Sequence, residues 1–427
     1  MIECEQWTIG TGAANADLSS DELRRIVEQA FESVRFGKRV LAIIPDATRD
    51  DATAILFPIA AEILGVKGVE KFDALVAQGT HAPMSAAEKT KKIGADENEL
   101  PQIFGAVYDH EWNNPGELVN IGELSARQVG VLSDGLFTES VALTVNRRIA
   151  SGEYDTILIF SSTVPHEVAG FSGGAKYFFP GVSGRELTDA THWLGALASI
   201  ANVIGKIETP TRRLIEAAAT FVKTPVVCLN SVVTRTEENR LRTYAFFVGD
   251  VKSSFRRAAE ISRQVHVKTV EKPFRRVIAV LDEHYDELWT GGKASYKLGG
   301  IIAEGGELII YAPHLLAVSA THGAMIEKFG YAPLDIVRDW VKYHLDLRND
   351  LCVAAHLAHV SYAGRTDEND AITSRFAIKL ASALSAETCQ KLNLGFIDYR
   401  QINWKEFRDD PETLVVERAG RDLYVLP

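Results

Sequence analysis

Short apolar runs that end in polar or glycine-rich loops recur through the first half of the chain. They are residues 39–45 (RVLAIIP), 72–78 (FDALVAQ), 155–161 (DTILIFS) and 225–229 (PVVCL). Their length and β-branched content predict buried strands, and the segments between several of them carry helical periodicity, which together predict βαβ units and a mainly parallel sheet. Residues 20–36 predict one of the helices. Leu23, Ile26, Val27, Ala30, Phe31 and Val34 form its apolar stripe behind the cap candidates Ser19 and Ser20, and Asp21, Glu22, Arg24 and Arg25 form the polar face. Residues 187–200 and 256–268 have the same helical character.

A second α/β region begins near Lys272, with the strand-like VIAVLD at residues 277–282 and ELIIY at 307–311. Pro273 discourages helix continuation and marks a linker at residues 270–273. The expected organisation is therefore two α/β domains with mainly parallel sheets and the active site in the cleft between them. Residues 1–270 form the cofactor-binding and catalytic domain and 271–404 a domain that covers the substrate. The strand-like pieces of a tail at about 405–427 pack back on the first domain. A chain of 427 residues is long enough for two cores.

Composition narrows the function classes. A formal net charge of −11 disfavours a general polyanion partner, so no nucleic acid is expected. Cys4, Cys228, Cys352 and Cys389 lie far apart without a CxxC spacing and read as free thiols. No stretch reaches the roughly 18 apolar residues of a membrane span, and the amino terminus lacks a basic start followed by an apolar run. No membrane association and a cytoplasmic location are expected.

Candidate chemistry concentrates where apolar runs end. In α/β folds ligands bind beyond the carboxyl ends of the strands. After RVLAIIP come Asp46 and Arg49, after FDALVAQ come Gly79, Thr80 and His81, and after DTILIFS comes His166. This last loop runs into PHEVAGFSGGAKYFFPGVSG, where Gly173 and Gly174 precede Lys176. Dense glycine lets backbone N–H groups approach an anion, and a lysine there serves as a phosphate contact or a covalent anchor. Lys176 is followed by Tyr177, so this is no Walker loop, and no GxGxxG follows a strand. His192 follows on a predicted helix. His81, His166 and His192 as zinc ligands, with Asp46 as base in a hydrolase, are one reading of these residues. A two-lobed binding protein is another.

In order and spacing, Asp46-x-x-Arg49, Gly-Thr-His81, His166, Gly-Gly-x-Lys176 and His192 resemble the signature of the nickel-dependent lactate racemase family. The resemblance implies a nickel pincer nucleotide, a pyridinium-3,5-bisthiocarboxylic acid mononucleotide, carried covalently by Lys176, with His192 as the protein's nickel ligand. Nickel suits such a site because it favours square-planar geometry with nitrogen and soft sulfur ligands. It further implies His81 and His166 as acid and base, Arg49 on the substrate carboxylate, and Asp46 fixing the nucleotide or that arginine. The expected partners are a 2-hydroxy acid and separate proteins that build the cofactor.

Further along, Trp289, Tyr296 and Lys297 (WTGGKASYKLGG) fall where the family places substrate contacts. Lactate-acting members have Tyr-Gln-x-x-Lys there; this chain has Lys297 at the glutamine position and Gly300 at the lysine position. The resemblance therefore implies a racemase or epimerase acting on an acid other than lactate, with Gly300 either making room for a longer one or serving as a turn glycine. His356 and His359 share helical spacing without an HExxH motif, and His110, Lys293 and His314 carry no assigned role.

Overall fold

The computed structural model describes residues 7–96, 99–283, 285–366 and 372–427, so Cys4 lies outside it. By its internal contacts the chain divides into two compact units, Met1–Thr191 with Lys206–Val265, and His192–Gly205 with His266–Pro427. Both are α/β. No described helix is long and apolar enough to cross a membrane.

The first unit is built on a seven-stranded sheet. Its strands are β1 (Thr8–Gly12), β2 (Arg39–Pro45), β3 (Lys71–Ala77), β4 (Phe104–Tyr108), β5 (Thr156–Ser162), β6 (Val226–Arg235) and β7 (Leu241–Gly249). Their spatial order is β1-β7-β6-β5-β2-β3-β4. The run from β6 to β4 is parallel, and β7 and β1 close one edge antiparallel. All four apolar runs of the first half are strands of this sheet, because a run buried on both faces has no amphipathic option.

Helix α1 (Ser20–Glu32) buries Leu23, Ile26, Val27, Ala30 and Phe31. Ser19 is its cap: its hydroxyl accepts from Glu22 N–H, and the Glu22 carboxylate accepts from Ser19 N–H at 2.8 Å. The helix stops four residues before the predicted end, since the chain turns so that Phe36 packs edge-on against Phe31 at 4.8 Å. Helix α2 (Thr53–Val66) brings Phe57 onto Phe72 (4.7 Å) and Phe160 (5.7 Å), joining helix and sheet in one core. Also in this unit are α3 (Ala86–Ile93), α5 (Pro210–Ala219) and all but the last residue of α6 (Val251–His266); α4 (Arg185–Ala198) begins in it and ends among the residues of the second unit.

The second unit carries a five-stranded parallel sheet. Its strands are β8 (Phe274–Val280), β9 (Ile302–Ala312), β10 (Phe376–Ser382), β11 (Gly395–Phe396) and β12 (Thr413–Val416), in the order β11-β10-β9-β8-β12. The tail expected on the first domain instead supplies β12 as the edge strand beside β8, while Leu423–Val425 pairs with Val267–Thr269. A short strand gains most where an open edge offers its backbone groups partners, and β8 offers one. Helices α7 (Lys293–Leu298) and α8 (Leu351–Val360) belong to this unit.

Candidate active site

Strand β2 has β3 on one side and β5 on the other, so the loops leaving the carboxyl ends of these three strands lie side by side. The chain runs outward from β2 through β3 to β4 and then returns to the far side of β2 as β5. That reversal makes the β2/β5 border a topological switch point, where open α/β sheets bind ligands. Residues separated by over a hundred positions in sequence thus share one edge.

Asp46 leaves β2 and is buried. Its Oδ1 accepts from Thr48 N–H (3.0 Å) and Thr48 Oγ (2.6 Å), and its Oδ2 lies 2.7 Å from His81 Nδ1. His81 is thus a direct side-chain partner of Asp46, and the Arg49 guanidinium acts on the same carboxylate. Burial alone would raise this carboxyl. The charge and hydrogen bond of His81, the Arg49 guanidinium and the Thr48 hydroxyl outweigh burial and hold it well below the ordinary carboxylate range. An ionised Asp46 fixes the Nδ1–H tautomer of His81 and leaves Nε2 as its basic nitrogen.

The Arg49 turn is pinned from several directions. Lys92 of α3 donates to the Arg49 carbonyl (3.2 Å) and pairs with Asp51 at 2.5 Å, both side chains nearly buried. Ser162 Oγ donates to the Asp50 carbonyl, and Arg235 pairs with the Asp50 carboxylate. His81 is about a third exposed, on a loop whose Gly79 adopts φ +55° and donates to the Gly181 carbonyl.

His166 ends a two-residue strand, Pro165–His166, paired with Gly170–Phe171. The glycine-rich turn follows. Gly173 and Gly174 have φ of +102° and +58°. A Cβ on Gly173 would sit 2.5 Å from Thr163 Oγ, and one on Gly174 would sit 2.9 Å from Phe255 Cβ. The Gly174 N–H, expected to face an anion, already donates to Ser161 Oγ (3.1 Å) and Asn230 Oδ1 (3.3 Å). These glycines therefore serve close packing of the turn on β5 and α6. Their consequence for chemistry is indirect: among residues 168–180, Lys176 is the one side chain that is not buried.

Arg212 of α5, invisible in the sequence as a site residue, underlies this turn. Its guanidinium is fully buried, donates to the carbonyls of Phe171 and Gly173, and stacks 3.9 Å from the Phe255 ring centroid. Burial lowers it to about 10, against the pull of Glu216 and Glu208. His110 is also fully buried. Its Nε2 donates to the Ser183 carbonyl (2.9 Å), just past the turn, and burial lowers its pKa, with that carbonyl acting the other way.

His192 lies half-buried on α4 and groups by contacts with the second unit. In that unit Trp289 stacks with His322 (4.4 Å) and His356 (4.2 Å), and His356 Nε2 lies 3.2 Å from the Tyr331 hydroxyl. Tyr296 is buried edge-on to His359. The Lys297 side chain is buried and donates to the Arg421 carbonyl at 2.5 Å. Gly300 is exposed, and a Cβ there would meet the Tyr424 carbonyl at 3.4 Å. Lys293 lies 5.8 Å from the Tyr285 ring, and His314 is part-buried.

Among the described residues no group of three or more His, Cys, Asp or Glu side chains is arranged to hold a metal ion, so the zinc reading gains no support. Residues 22–205 match the family model of the lactate racemase N-terminal domain. A crystal structure of a Thermotoga maritima protein is 33% identical, covers 96% of this chain and 99% of its own, and superposes with a TM-score of 0.88. The lactate racemase apoprotein of Thermoanaerobacterium thermosaccharolyticum is 17% identical over 99% of this chain and 100% of its own, with a TM-score of 0.69. No curated protein gives a match.

Proposed function

Because the chain belongs to the lactate racemase family, and so to the isomerases of racemase or epimerase type, we propose that it inverts C2 of a 2-hydroxy acid with a lysine-tethered nickel pincer nucleotide. The observation that carries this reading is the set of three adjoining strand ends. They present a carboxylate-bound His81, a second imidazole in His166, and Lys176 as the accessible side chain of an otherwise buried turn.

Removing the C2 hydrogen as a proton beside an ionised carboxylate builds a doubly negative enolate. When bound, the nickel pincer nucleotide supplies an acceptor for hydride instead. The residues present fit that group in two respects: Lys176 is presented for covalent attachment, and His192 offers an imidazole of the kind nickel takes. Arg49, its backbone clamped by Lys92, is suited to the substrate carboxylate. His81 and His166 handle the hydroxyl proton, one on each face of the carbon, because inversion moves the hydroxyl to the other side. The departure from Tyr-Gln-x-x-Lys favours an acid other than lactate, longer or sugar-derived. Separate cofactor-making proteins are the partners that maturation requires.

The test is turnover of C2-labelled and unlabelled 2-hydroxy acids in heavy water by protein co-produced with those proteins. Inversion with little deuterium at C2, together with a primary isotope effect from C2-deuterated substrate, is the expected outcome. Stoichiometric uptake of deuterium at C2 would falsify hydride transfer. A protein of bare mass after co-production, or an adduct that persists in Lys176→Ala, removes Lys176 as the tether.

A further inference from the structure

The two imidazoles assigned to the hydroxyl proton are held differently at Nδ1. His81 Nδ1 faces the Asp46 carboxylate at 2.7 Å, so it carries the ring's proton and Nε2 is free to accept one. Two groups beside His166 Nδ1 have opposite requirements. The Val168 N–H donates to it at 3.1 Å, which needs a bare lone pair, while Glu167 Oε2 lies 3.5 Å away and favours a proton there.

While Val168 donates, the neutral His166 ring keeps its proton on Nε2. In that state Nε2 cannot accept a proton, and giving one up would leave an imidazolate. The ring becomes competent only when Nδ1 is protonated, and an Nδ1–H cannot face another N–H. An acceptor within reach is Glu167, whose side chain is 15% exposed beside a His166 side chain that is 8% exposed, so water screens the pair weakly. Arg212 is also packed on this hairpin, with Glu208 and Glu216 near it, and its terminal nitrogens donate to the carbonyls of Phe171 and Gly173.

We infer that Glu167 is the positioning residue of His166, the counterpart of Asp46 at His81: by accepting Nδ1–H it makes Nε2 the nitrogen that gives and takes the hydroxyl proton. The inference rests on the racemase reading for its place in a reaction. In one direction the substrate O–H bond breaks as His81 Nε2–H forms. On the other face the Nε2–H bond of the His166 imidazolium breaks as the product O–H forms, leaving a neutral ring with its proton on Nδ1, held by Glu167. The reverse direction exchanges the two roles, and solvent resets the pair between turnovers. His81 is ready at rest, whereas His166 must first exchange Val168 for Glu167.

The test uses the full chain without cofactor, with 15N-labelled histidine followed through an acid titration. Wild-type His166 is expected to take its second proton at Nδ1, with that N–H shifted to low field by a carboxylate acceptor. In Glu167→Gln the low-field signal is lost and the midpoint falls by about one pH unit, a tenfold loss of proton affinity; Glu167→Asp recovers part of it. His81 stays unchanged in both variants. A His166 titration that is the same in wild type and Glu167→Gln overturns the inference. In the cofactor-loaded enzyme Glu167→Gln should lower kcat in both directions by about tenfold with KM little moved; a wild-type kcat overturns it as well. If the loaded wild type inverts no 2-hydroxy acid, the functional reading fails, and the spectra still decide for or against Glu167.

Discussion

Single side chains in this protein owe their roles to what they are bonded to. His110 is a buried imidazole whose pKa lies below its ordinary value of 6.5, so it stays neutral in the fold while the unfolded chain protonates it. The unfolded state then binds more protons as pH falls below 6.5, and stability falls with it until the folded ring titrates too. Melting temperatures measured from pH 7.5 down to 5 should therefore decline more steeply in wild type than in His110→Gln, which keeps a donor for the Ser183 carbonyl. Parallel slopes would show that this ring takes up its proton in the fold as readily as in the unfolded chain. Lys297 gives a second case. With its ammonium on the Arg421 carbonyl, Lys297→Met should lower stability to urea by about 1.5–3 kcal/mol, the range for a hydrogen bond from a charged group. An unchanged urea midpoint would place the charge elsewhere.

At the scale of elements, the parallel sheet was legible because buried strands are written as continuous apolar runs, and β2 coincides with RVLAIIP. The candidate site was legible as far as its strand-end residues: Asp46, His81 and His166 each follow such a run, and strand order alone brings them together. What escaped was partnership. Nothing in the spacing of Asp46 and His81 says that they touch, since that depends on β2 and β3 being neighbours in register. The glycines of the Lys176 turn suggest an anion cradle in sequence, because positive φ and close approach leave the same mark whether the neighbour is a ligand or Phe255. Arg212 left no mark at all, as an arginine in an amphipathic helix is ordinarily solvated. Its two carbonyl partners lie in the turn itself, so Arg212→Met leaves both unsatisfied at about 1–3 kcal/mol each. Thermal unfolding should show that loss, and hydrogen exchange should rise selectively in residues 170–177. Exchange raised evenly over the whole first unit would mean that Arg212 supports the helix and not the turn.

For the molecule as a whole, the boundaries at Thr191/His192, Gly205/Lys206 and Val265/His266 mean that the backbone passes between the two units three times. The excursion 192–205 carries Trp193, Leu194, Ile200 and Val203, all buried in the whole chain, and His192 with them. The units are consequently not interchangeable cassettes. A chimera that takes everything after residue 265 from a relative inherits a foreign partner for a native segment. It should melt lower, and bind a dye for exposed apolar surface more strongly, than one that also transplants 192–205. Equal behaviour of the two chimeras would mean that a single junction suffices. If the longer transplant is required, diversification of substrate preference by recombination in this family is constrained to double exchanges. The proposed nickel ligand would then be inherited with the second unit, while the proposed tether stays behind with the first.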